Sequence, residues 1–351
     1  MITDKWMTDP APSWMENDGG PLISLTAVLT RNVKDLPFPE KGDGKSRRKA
    51  RALAEKAVRH WNEDHAPFTE YTLAGLSEND KELLSAKGLL PDFAGIPEDE
   101  SVVFTDQSGR FSIAVNGTDD LEMRCMTASD KAENLWDELS YLDSMLERDM
   151  DYAFDEEFGY LTASPYKAGT ALTMSALLFL PGLSRSGMLR KAAANAARLG
   201  FALTKAYGDG RKESPYCRLT NTVTLGVTER MIASRMKQLI GQLREAEERT
   251  WKTLFREKEN VIKDQIWRAL GTLKYARRMD SAETAACAGL MKLGIAEDMF
   301  PAKDPLFFEK LLMLAEPSLV KAMTGKEELD EEGIRLWRAV LLRQAVQNAG
   351  F

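Results

Sequence analysis

Apolar residues are spaced differently in the first and last parts of the chain. In the first part they alternate, or run continuously, in seven segments that we predict to be strands: 22–29, 101–106, 111–116, 158–162, 173–181, 201–206 and 217–225. Helical spacing predicts helices at 46–63, 130–148 and 184–198. Beyond Thr228 almost the whole chain has helical spacing. The sequence therefore predicts an α+β region to about residue 250, followed by an all-α region.

The composition is that of an ordinary globular protein, with 44% hydrophobic and 29% charged residues in a chain of 351. The formal net charge is −7, which argues against general binding to nucleic acid or to anionic membranes. Ser46 is the predicted N-cap of the first helix. We therefore interpret the basic cluster at 47–49, directly after it, as a solvated helix end rather than a nucleic-acid contact.

Cysteine usage and targeting signals indicate the compartment. Cys125, Cys217 and Cys287 lie far apart and lack the spacing of a zinc site, which predicts a reducing compartment, no disulfide framework and no metal centre. The first 14 residues lack the pattern of a signal peptide, and the most apolar segment, 171–183, is too short to span a bilayer. We expect a cytoplasmic protein.

Residues 111–124, FSIAVNGTDDLEMR, place a small polar turn after a strand-like run, and polar turns at strand ends are common places for chemistry. Other segments carry a family pattern: PSWMENDGG (12–20), LTRNVKDLPFP (29–39), MDYAFDEEFGYLTASPYKAGT (150–170), AYGDG (206–210) and LTNTVTLGVTE (219–229). Together they resemble the bacterial protein-arginine kinases, which are members of the phosphagen (guanidino) kinase superfamily. The resemblance continues through residues 247–285, so it covers nearly the whole chain.

The resemblance implies two domains. Residues 1–250 would form the guanidino-kinase catalytic fold, a twisted and mostly antiparallel sheet flanked by helices. Residues 251–351 would form a helical domain that dimerises and carries a phosphoarginine-binding site. In that family a ring of arginines holds the phosphates of MgATP, and carboxylates hold the guanidinium that accepts the phosphoryl group. The acceptor there is arginine in proteins, and the mark directs them to a Clp-type protease.

The positions that match the family's five phosphate-binding arginines all carry other residues. They are Thr26, Val28, Glu122, Thr173 and Thr204. Glu122 reverses the charge rather than merely removing it. Arg31 and Asn32 match the family as well, but there these two residues support the strand.

The acceptor side is equally altered. The family's paired glutamates, which would hold and deprotonate a guanidinium, match Gly117 and Thr118. The family's cysteine matches Ser164, and its third carboxylate survives only as Asp209, one methylene shorter. The resemblance therefore predicts that these four positions are degenerate.

The free energy that the five lost arginines would contribute can be compared with the binding free energy of a ligand. A hydrogen bond to a charged group contributes roughly 1.5–3 kcal/mol, so five of them exceed about 5 kcal/mol even after a discount for non-additivity. That is comparable with the roughly 4–8 kcal/mol that binds a ligand whose Kd lies between about 1 mM and 1 μM. Loss of the base would lower the rate about 10²–10⁴-fold more. The full set predicts loss of ordinary phosphotransfer.

Two interpretations of the neighbouring charges stay open. Basic residues near the altered positions are Arg124, Arg211 and Lys212, which we take as candidate replacements, and Lys167, Lys205 and Arg218. They are either solvated surface charges or part of a re-purposed anion or peptide site. Four carboxylates also lie near these positions: Asp119, Asp120, Glu122 and Asp209. They either bind a divalent cation together or are simply solvated.

The helical domain departs from the family too. Where the family's phosphoarginine pocket has an Arg-Asp pair followed by Arg-Ala, this chain has Ile334 and Arg335, then Arg338. The aspartate that would hold a guanidinium is absent, and we interpret Arg338 as a surface cap or ion-pair residue. The tryptophans Trp251, Trp267 and Trp337 are predicted to fill helical cores or a dimer seam.

Two functions follow from these residues, and whether the chain is an enzyme stays open between them. The first is a protein-arginine-kinase-like pseudokinase that acts by binding or regulation in the arginine-phosphorylation and Clp protein quality-control system. It would be a homodimer that binds no cofactor, nucleic acid or membrane. Its protein partners by resemblance are an arginine kinase, its activator or a Clp unfoldase. The alternative is an active ATP-dependent guanidino phosphotransferase whose MgATP site has been rebuilt.

Overall fold

A computed structural model describes residues 8–16, 19–91, 97–206, 214–300, 304–326 and 328–351. Its centre is an eight-stranded sheet with the strand order β2-β3-β4-β5-β1-β8-β10-β9, in which every neighbouring pair is antiparallel. The strands are β1 Leu22–Arg31, β2 Phe68–Thr72, β3 Val102–Asp106, β4 Phe111–Val115, β5 Leu121–Thr127, β6 Phe154–Asp155, β7 Gly159–Tyr160, β8 Leu172–Phe179, β9 Phe201–Lys205 and β10 Tyr216–Asn221. Strands β6 and β7 form a separate two-stranded hairpin.

Helices flank the sheet and make up the last third of the chain. They are α1 Gly44–Asp64, α2 Glu78–Ala86, α3 Ala132–Leu146, α4 Pro181–Arg185, α5 Leu189–Arg198, α6 Glu229–Tyr275, α7 Ser281–Ala296, α8 Phe307–Met313, α9 Pro317–Thr324 and α10 Glu331–Asn348. Two short 3₁₀ turns lie at Ser13–Met15 and Leu73–Gly75. No helix in the described ranges is long and apolar enough to cross a bilayer.

Each face of the sheet packs against a different set of helices. Alternate residues of β1, such as Leu25 and Leu29, are fully buried and join the apolar faces of α1, α3 and the first half of α6 in one core. One end of the opposite face packs against the helical region, where the rings of Phe179 and Phe308 are 5.9 Å apart. The remainder of that second face carries Thr26, Val28, Glu122, Thr173 and Thr204, and we call it the open face.

The predicted α+β class and the helical last part are confirmed, whereas several details are wrong. Ser46 is not the N-cap of α1, because its N–H donates to the carboxylate of Asp43 (2.8 Å), which caps the helix three residues earlier than predicted. The helix predicted at 184–198 is two helices, α4 and α5, separated at Gly187, whose φ of 74° requires glycine. The strand predicted at 158–162 shrinks to β7.

The basic cluster at 47–49 is only partly the solvated helix end that we predicted. The side chain of Arg47 is 14% exposed, pairs with Glu100, and donates to the carbonyls of Pro39 (3.1 Å) and Gly42 (2.6 Å). Arg48 also pairs with Glu100 (2.8 Å), although it is largely exposed. The cluster therefore ties α1 to the segment before β3, which a helix end in solvent would not do.

Helix α6 runs from beside the sheet into the helical region. The predicted boundary between residues 250 and 251 falls inside this helix, so that division stays a prediction. Only Lys258 within α6 has non-helical backbone angles (φ −127°, ψ 27°), and it marks a kink. The neighbouring residues 255–261, FREKENV, include neither proline nor glycine, so no helix-breaking residue accounts for this kink.

Candidate active site on the open face of the sheet

The sheet brings the five altered arginine positions onto a single face. In an antiparallel ladder, directly paired residues project from the same side. Val28 pairs with Arg124 on β5 and with Thr173 on β8, and its neighbour-but-one Thr26 pairs with Met126 and Ser175. Thr204 pairs with Arg218 on β10. Positions that are up to 178 residues apart along the chain (204 − 26) therefore share the open face, although their side chains are not those of a phosphate site.

The centre of the open face is occupied by an internal ion pair. Arg124 donates Nε to Oε1 of Glu122 (2.8 Å), and its Nη2 contacts the same oxygen. Its Nη1 donates to the carbonyl of Gly88 at the end of α2 (3.0 Å). Lys167 Nζ lies 3.8 Å from the other oxygen of Glu122. Both members of the pair are largely shielded, with 14% of Glu122 and 17% of Arg124 exposed, so this arginine is neutralised inside the protein.

Other basic residues are placed less centrally. Arg218 is exposed on the same face and donates weakly to Ser175 Oγ (3.4 Å). Lys205 pairs with Cys217 in the ladder, so it projects from the other face, as the alternation within β9 predicts. The candidate replacements Arg211 and Lys212 lie outside the described residues, and so does Asp209.

The acceptor-side positions also come together. The turn that carries Gly117 and Thr118 is joined to the loop that carries Ser164, because Asp119 Oδ1 accepts the backbone N–H of Ala163 (2.6 Å) and the amide of Asn32 (2.7 Å). Gly117 offers no side chain, and the exposed Thr118 offers only a hydroxyl. The structure thus brings the turn and the loop of the predicted acceptor side together, and neither Gly117 nor Thr118 supplies a carboxylate.

The carboxylates of that turn are structural, so the prediction that they are solvated is wrong for Asp119 and Asp120. Both are buried. Asp120 Oδ2 accepts the N–H of Val33 (2.8 Å), while its own N–H donates to Asn32 Oδ1 (2.8 Å). Burial raises the pKa of Asp120 to about 7, against the opposing effect of the Val33 hydrogen bond. Within the described ranges, no group of three or more histidine, cysteine or acidic side chains is placed to hold a metal ion.

Arg31 supports the end of β1, as the resemblance implies. Its guanidinium is buried, bonds to Asp143 Oδ2 (2.8 Å) and the carbonyl of Thr30 (2.9 Å), and lies 3.4 Å from the ring centroid of Tyr160. Because its donors are directed at these groups, Arg31 holds the strand, the helix α3 and the β6–β7 hairpin together. It is not placed to serve the open face, since it lies on the opposite side of β1 from Thr30.

A small cavity beside Thr26 was not anticipated from the sequence. It has a volume of about 130 Å³, and the N-terminal residues Pro12 and Trp14 form one wall. Lys87, at the end of α2, also lines it and donates Nζ to the carbonyl of Asp9 (2.7 Å). Burial lowers the pKa of Lys87 to about 8. The only sequence signal was a lysine before glycine at a helix end, which is too common to mark a site.

Arg338, in the predicted phosphoarginine pocket, is not the surface residue that we expected. It is 2% exposed and donates to three backbone carbonyls: those of Leu314 (2.9 Å), Met279 (3.0 Å) and Ala315 (3.2 Å). These bonds join α10 to the ends of two other segments. Arg335 pairs with the acidic residues one turn earlier on its own helix, and Ile334 is partly buried.

The three tryptophans have different environments. Trp251 is buried and donates Nε1 to Glu297 Oε1 (2.7 Å), as a core residue would. Trp337 is half-buried beneath the ammonium of Lys326, 4.4 Å from the ring centroid. Trp267 is 54% exposed, so the expectation of a core position is wrong for it within one chain. A dimer seam at Trp267 stays a prediction.

Comparison with known proteins matches the sequence of this chain to two families. The model of the ATP:guanido phosphotransferase C-terminal catalytic domain matches residues 49–250. The model of the Protein-arginine kinase McsB C-terminal domain matches residues 259–350. A curated protein-arginine kinase from Desulforamulus reducens is 30% identical over 99% of both chains. One from Caldanaerobacter subterraneus subsp. tengcongensis is 30% identical over 80% of this chain and 84% of its own.

Solved structures share the fold. The substrate-free duplicated taurocyamine kinase from Schistosoma mansoni superposes with a TM-score of 0.57 and 21% identity, over 68% of this chain and 35% of that one. A lombricine kinase gives a TM-score of 0.57 and 18% identity, over 69% of this chain and 70% of its own. By its catalytic-domain match, its helical-domain match and its full-length relatives, the chain belongs to the ATP:guanidino phosphotransferase family, on the protein-arginine kinase branch.

Proposed function

We propose that this protein is a non-catalytic member of its family, a pseudokinase that acts by binding other proteins. The observation that carries the proposal is the Glu122–Arg124 pair on the open face. Where the family places an arginine for phosphate, this chain places a carboxylate, and that carboxylate neutralises the arginine two residues further along. A nucleotide phosphate brought to this point would meet an ion pair with no net charge instead of a free positive charge.

The other altered positions support the same proposal. Thr26, Val28, Thr173 and Thr204 offer at most a hydroxyl, which forms weaker hydrogen bonds to phosphate than a guanidinium and adds no charge. Opposite them, Gly117 and Thr118 supply no carboxylate to deprotonate an acceptor. We therefore propose that no nucleotide is needed as a cofactor.

The active alternative has support of its own. Full-length relatives at 30% identity are named protein-arginine kinases, and divergent enzymes can keep an activity with replaced side chains. Arg218 is basic, exposed and on the open face, so it is the residue most suited to a rebuilt phosphate site among those described. This second candidate predicts that Arg218→Ala removes any phosphotransfer that the wild-type chain has.

Protein partners are proposed by the same reasoning. We propose that the chain acts by binding proteins. The resemblance suggests three partners: an arginine kinase, its activator or a Clp unfoldase. A homodimer is part of this proposal, because the exposed side of α6 carries Trp267 (54% exposed) and Tyr275 (75% exposed). The proposed cytoplasmic setting rests on the three buried free cysteines and on the family.

A phosphotransfer assay tests the proposed function. The full-length protein would be incubated with MgATP and an arginine-rich unfolded protein, and phosphoarginine would be measured by mass spectrometry. The kinase from Desulforamulus reducens provides the positive control. We expect no product above that of an enzyme-free reaction. Formation of phosphoarginine at a rate within about 10²-fold of the control, and its loss in Arg218→Ala, would instead establish the rebuilt enzyme.

A further inference from the structure

A second and larger cavity lies where the sheet meets the helical region, away from the open face. Its volume is about 490 Å³, within the range of sites that take drug-sized ligands. One wall is the end of β8 with α4, and the other is formed by α6 and α7. Ligand sites are frequent at such junctions, because two rigid units leave a cleft between them.

The floor of this cavity is apolar. Leu254 and Ile262 on α6, and Leu293 on α7, are buried side chains that line it, together with Phe179 at the end of β8. Val261 is 59% exposed at the rim, which is unusual for an aliphatic side chain beside an apolar floor. The surface therefore continues outward from the floor, and an apolar ligand would cover it.

The charged groups that line the cavity are both positive. They are Arg185 at the end of α4 and Lys258 at the kink of α6. The guanidinium of Arg185 donates to Gln265 Oε1 (3.0 Å), a bond that spans the cavity from α4 to α6. No carboxylate is among the described lining residues. Among the described residues, the lining is thus apolar inside and carries two basic side chains, Arg185 and Lys258.

The frame around the cavity is firmly held. The carboxylate of Glu247 accepts the backbone N–H groups of Gly182 (2.6 Å) and Leu183 (2.9 Å), which fixes α4 against α6. Tyr216 donates its hydroxyl to the carbonyl of Ala285 (2.8 Å), which fixes α7 against the sheet. The kink at Lys258 lies between these two attachments along the chain, and Lys258 itself lines the cavity.

We propose that this cavity binds a small amphipathic anion, with an apolar body on the Leu254–Leu293 floor and a carboxylate or phosphate beside Lys258 and Arg185. An acyl chain with a terminal carboxylate has this chemistry. The site is independent of the open face, so it is present whether the protein is a pseudokinase or an active kinase. A ligand there would contact both the sheet and the helical region.

The test is a binding titration of the full-length protein with the alkanoates from octanoate to dodecanoate, and with decanol as the neutral counterpart of decanoate. We expect affinity to rise about fourfold for each added methylene until the cavity is filled, from the transfer free energy of a CH₂ group. Decanoate should bind more tightly than decanol. In the double variant Arg185→Met/Lys258→Met, decanoate should bind about tenfold more weakly while decanol is unaffected.

A matched pair of variants tests whether the ligand binds inside this cavity. Ala286 is exposed on α7 and lines the cavity, whereas Ala282 is exposed one turn earlier and does not. Ala286→Phe should abolish binding of decanoate and decanol, and Ala282→Phe should leave both unchanged. The proposal is overturned if no alkanoate binds saturably below its aggregation concentration, if Ala286→Phe binds as the wild type does, or if decanol binds as tightly as decanoate.

Discussion

Glu122 and Arg124 show how two substitutions in one strand change the chemistry of a face. In an alternating strand, residues two apart project from the same side, so a carboxylate at 122 and a guanidinium at 124 are close enough to pair. Both are shielded from water, which strengthens their attraction and makes either one costly to leave alone. Removing one member of the pair alone would therefore destabilise the sheet, since the other would stay shielded without a charged partner.

Glu122→Gln should lower the free energy of unfolding by about 1–3 kcal/mol, because Arg124 would remain shielded without a charged partner. Urea denaturation of the full-length protein measures this difference. Glu259→Gln is the matched control, since Glu259 forms an exposed pair with Lys263 one turn along α6 and should contribute less than about 0.5 kcal/mol. Equal effects in the two variants would show that the buried pair has no special role.

Asp120 gives a pH dependence whose sign can be stated. Its folded-state pKa is raised to about 7, above the ordinary value near 4, so the folded protein holds this proton more tightly than the unfolded chain. The stability that it contributes is full below about pH 4 and is lost as the pH rises through about 7. Asp120→Asn keeps an oxygen for the N–H of Val33 and should reduce the loss of unfolding free energy between pH 4 and pH 8. Denaturation over this pH range measures the difference. An unchanged slope would rule out Asp120 as its source, with the exposed Asp137→Asn as control.

At the level of strands and helices, sequence periodicity predicted most of the sheet. The runs at 22–29, 101–106 and 111–116 became β1, β3 and β4 because alternation reports burial of one face. β2 was missed, since it lies at the edge of the sheet and only Phe68 of its residues FTEYT is buried. The break between α4 and α5 was missed as well, because it depends on the backbone angle at Gly187 and not on apolar spacing.

Two glycines in helices offer a test of packing between elements. A Cβ at Gly289 on α7 would lie 2.8 Å from the ring of Phe179 and 3.1 Å from the hydroxyl of Tyr216, whereas one at Gly241 on α6 would meet nothing within 4 Å. Gly289→Ala should destabilise the protein by about 1–3 kcal/mol by forcing α7 from the sheet. Gly241→Ala should stabilise it by about 0.5–1 kcal/mol. The midpoint temperature of thermal unfolding measures both effects. Midpoints that shift in the same direction in the two variants would contradict this packing.

Over the whole chain, the assignment of the site positions stays a prediction, whereas the structure corrects several expectations about their surroundings. The alignment of Thr26, Val28, Glu122, Thr173 and Thr204 with the family's arginines rested on short motifs, and the ladder registers place all five on one face. The burial of Asp119, Asp120 and Arg338 could not be predicted, since it depends on contacts with segments far away in the sequence. Lys87 was missed for the same reason.

The proposed dimer makes a prediction for the entire molecule. Trp267 and Tyr275 are two turns apart on the exposed side of α6, and aromatic side chains of this size commonly contribute more than about 1.4 kcal/mol to an interface. Analytical ultracentrifugation should give twice the chain mass of 39.2 kDa. Trp267→Ser/Tyr275→Ser should weaken association at least about tenfold, whereas Tyr166→Ser, at another exposed position, should not. A wild-type protein that stays monomeric at all concentrations would exclude this dimer.

The most direct test of the pseudokinase proposal is a calorimetric titration of the full-length protein with MgATP and MgADP, beside the kinase from Desulforamulus reducens. The altered open face predicts no binding heat up to millimolar nucleotide, because the five arginines are absent and Arg124 is neutralised by Glu122. Saturable binding with a Kd below about 0.1 mM would mean that other side chains hold the phosphates. That result would contradict the proposal and turn attention to Arg218.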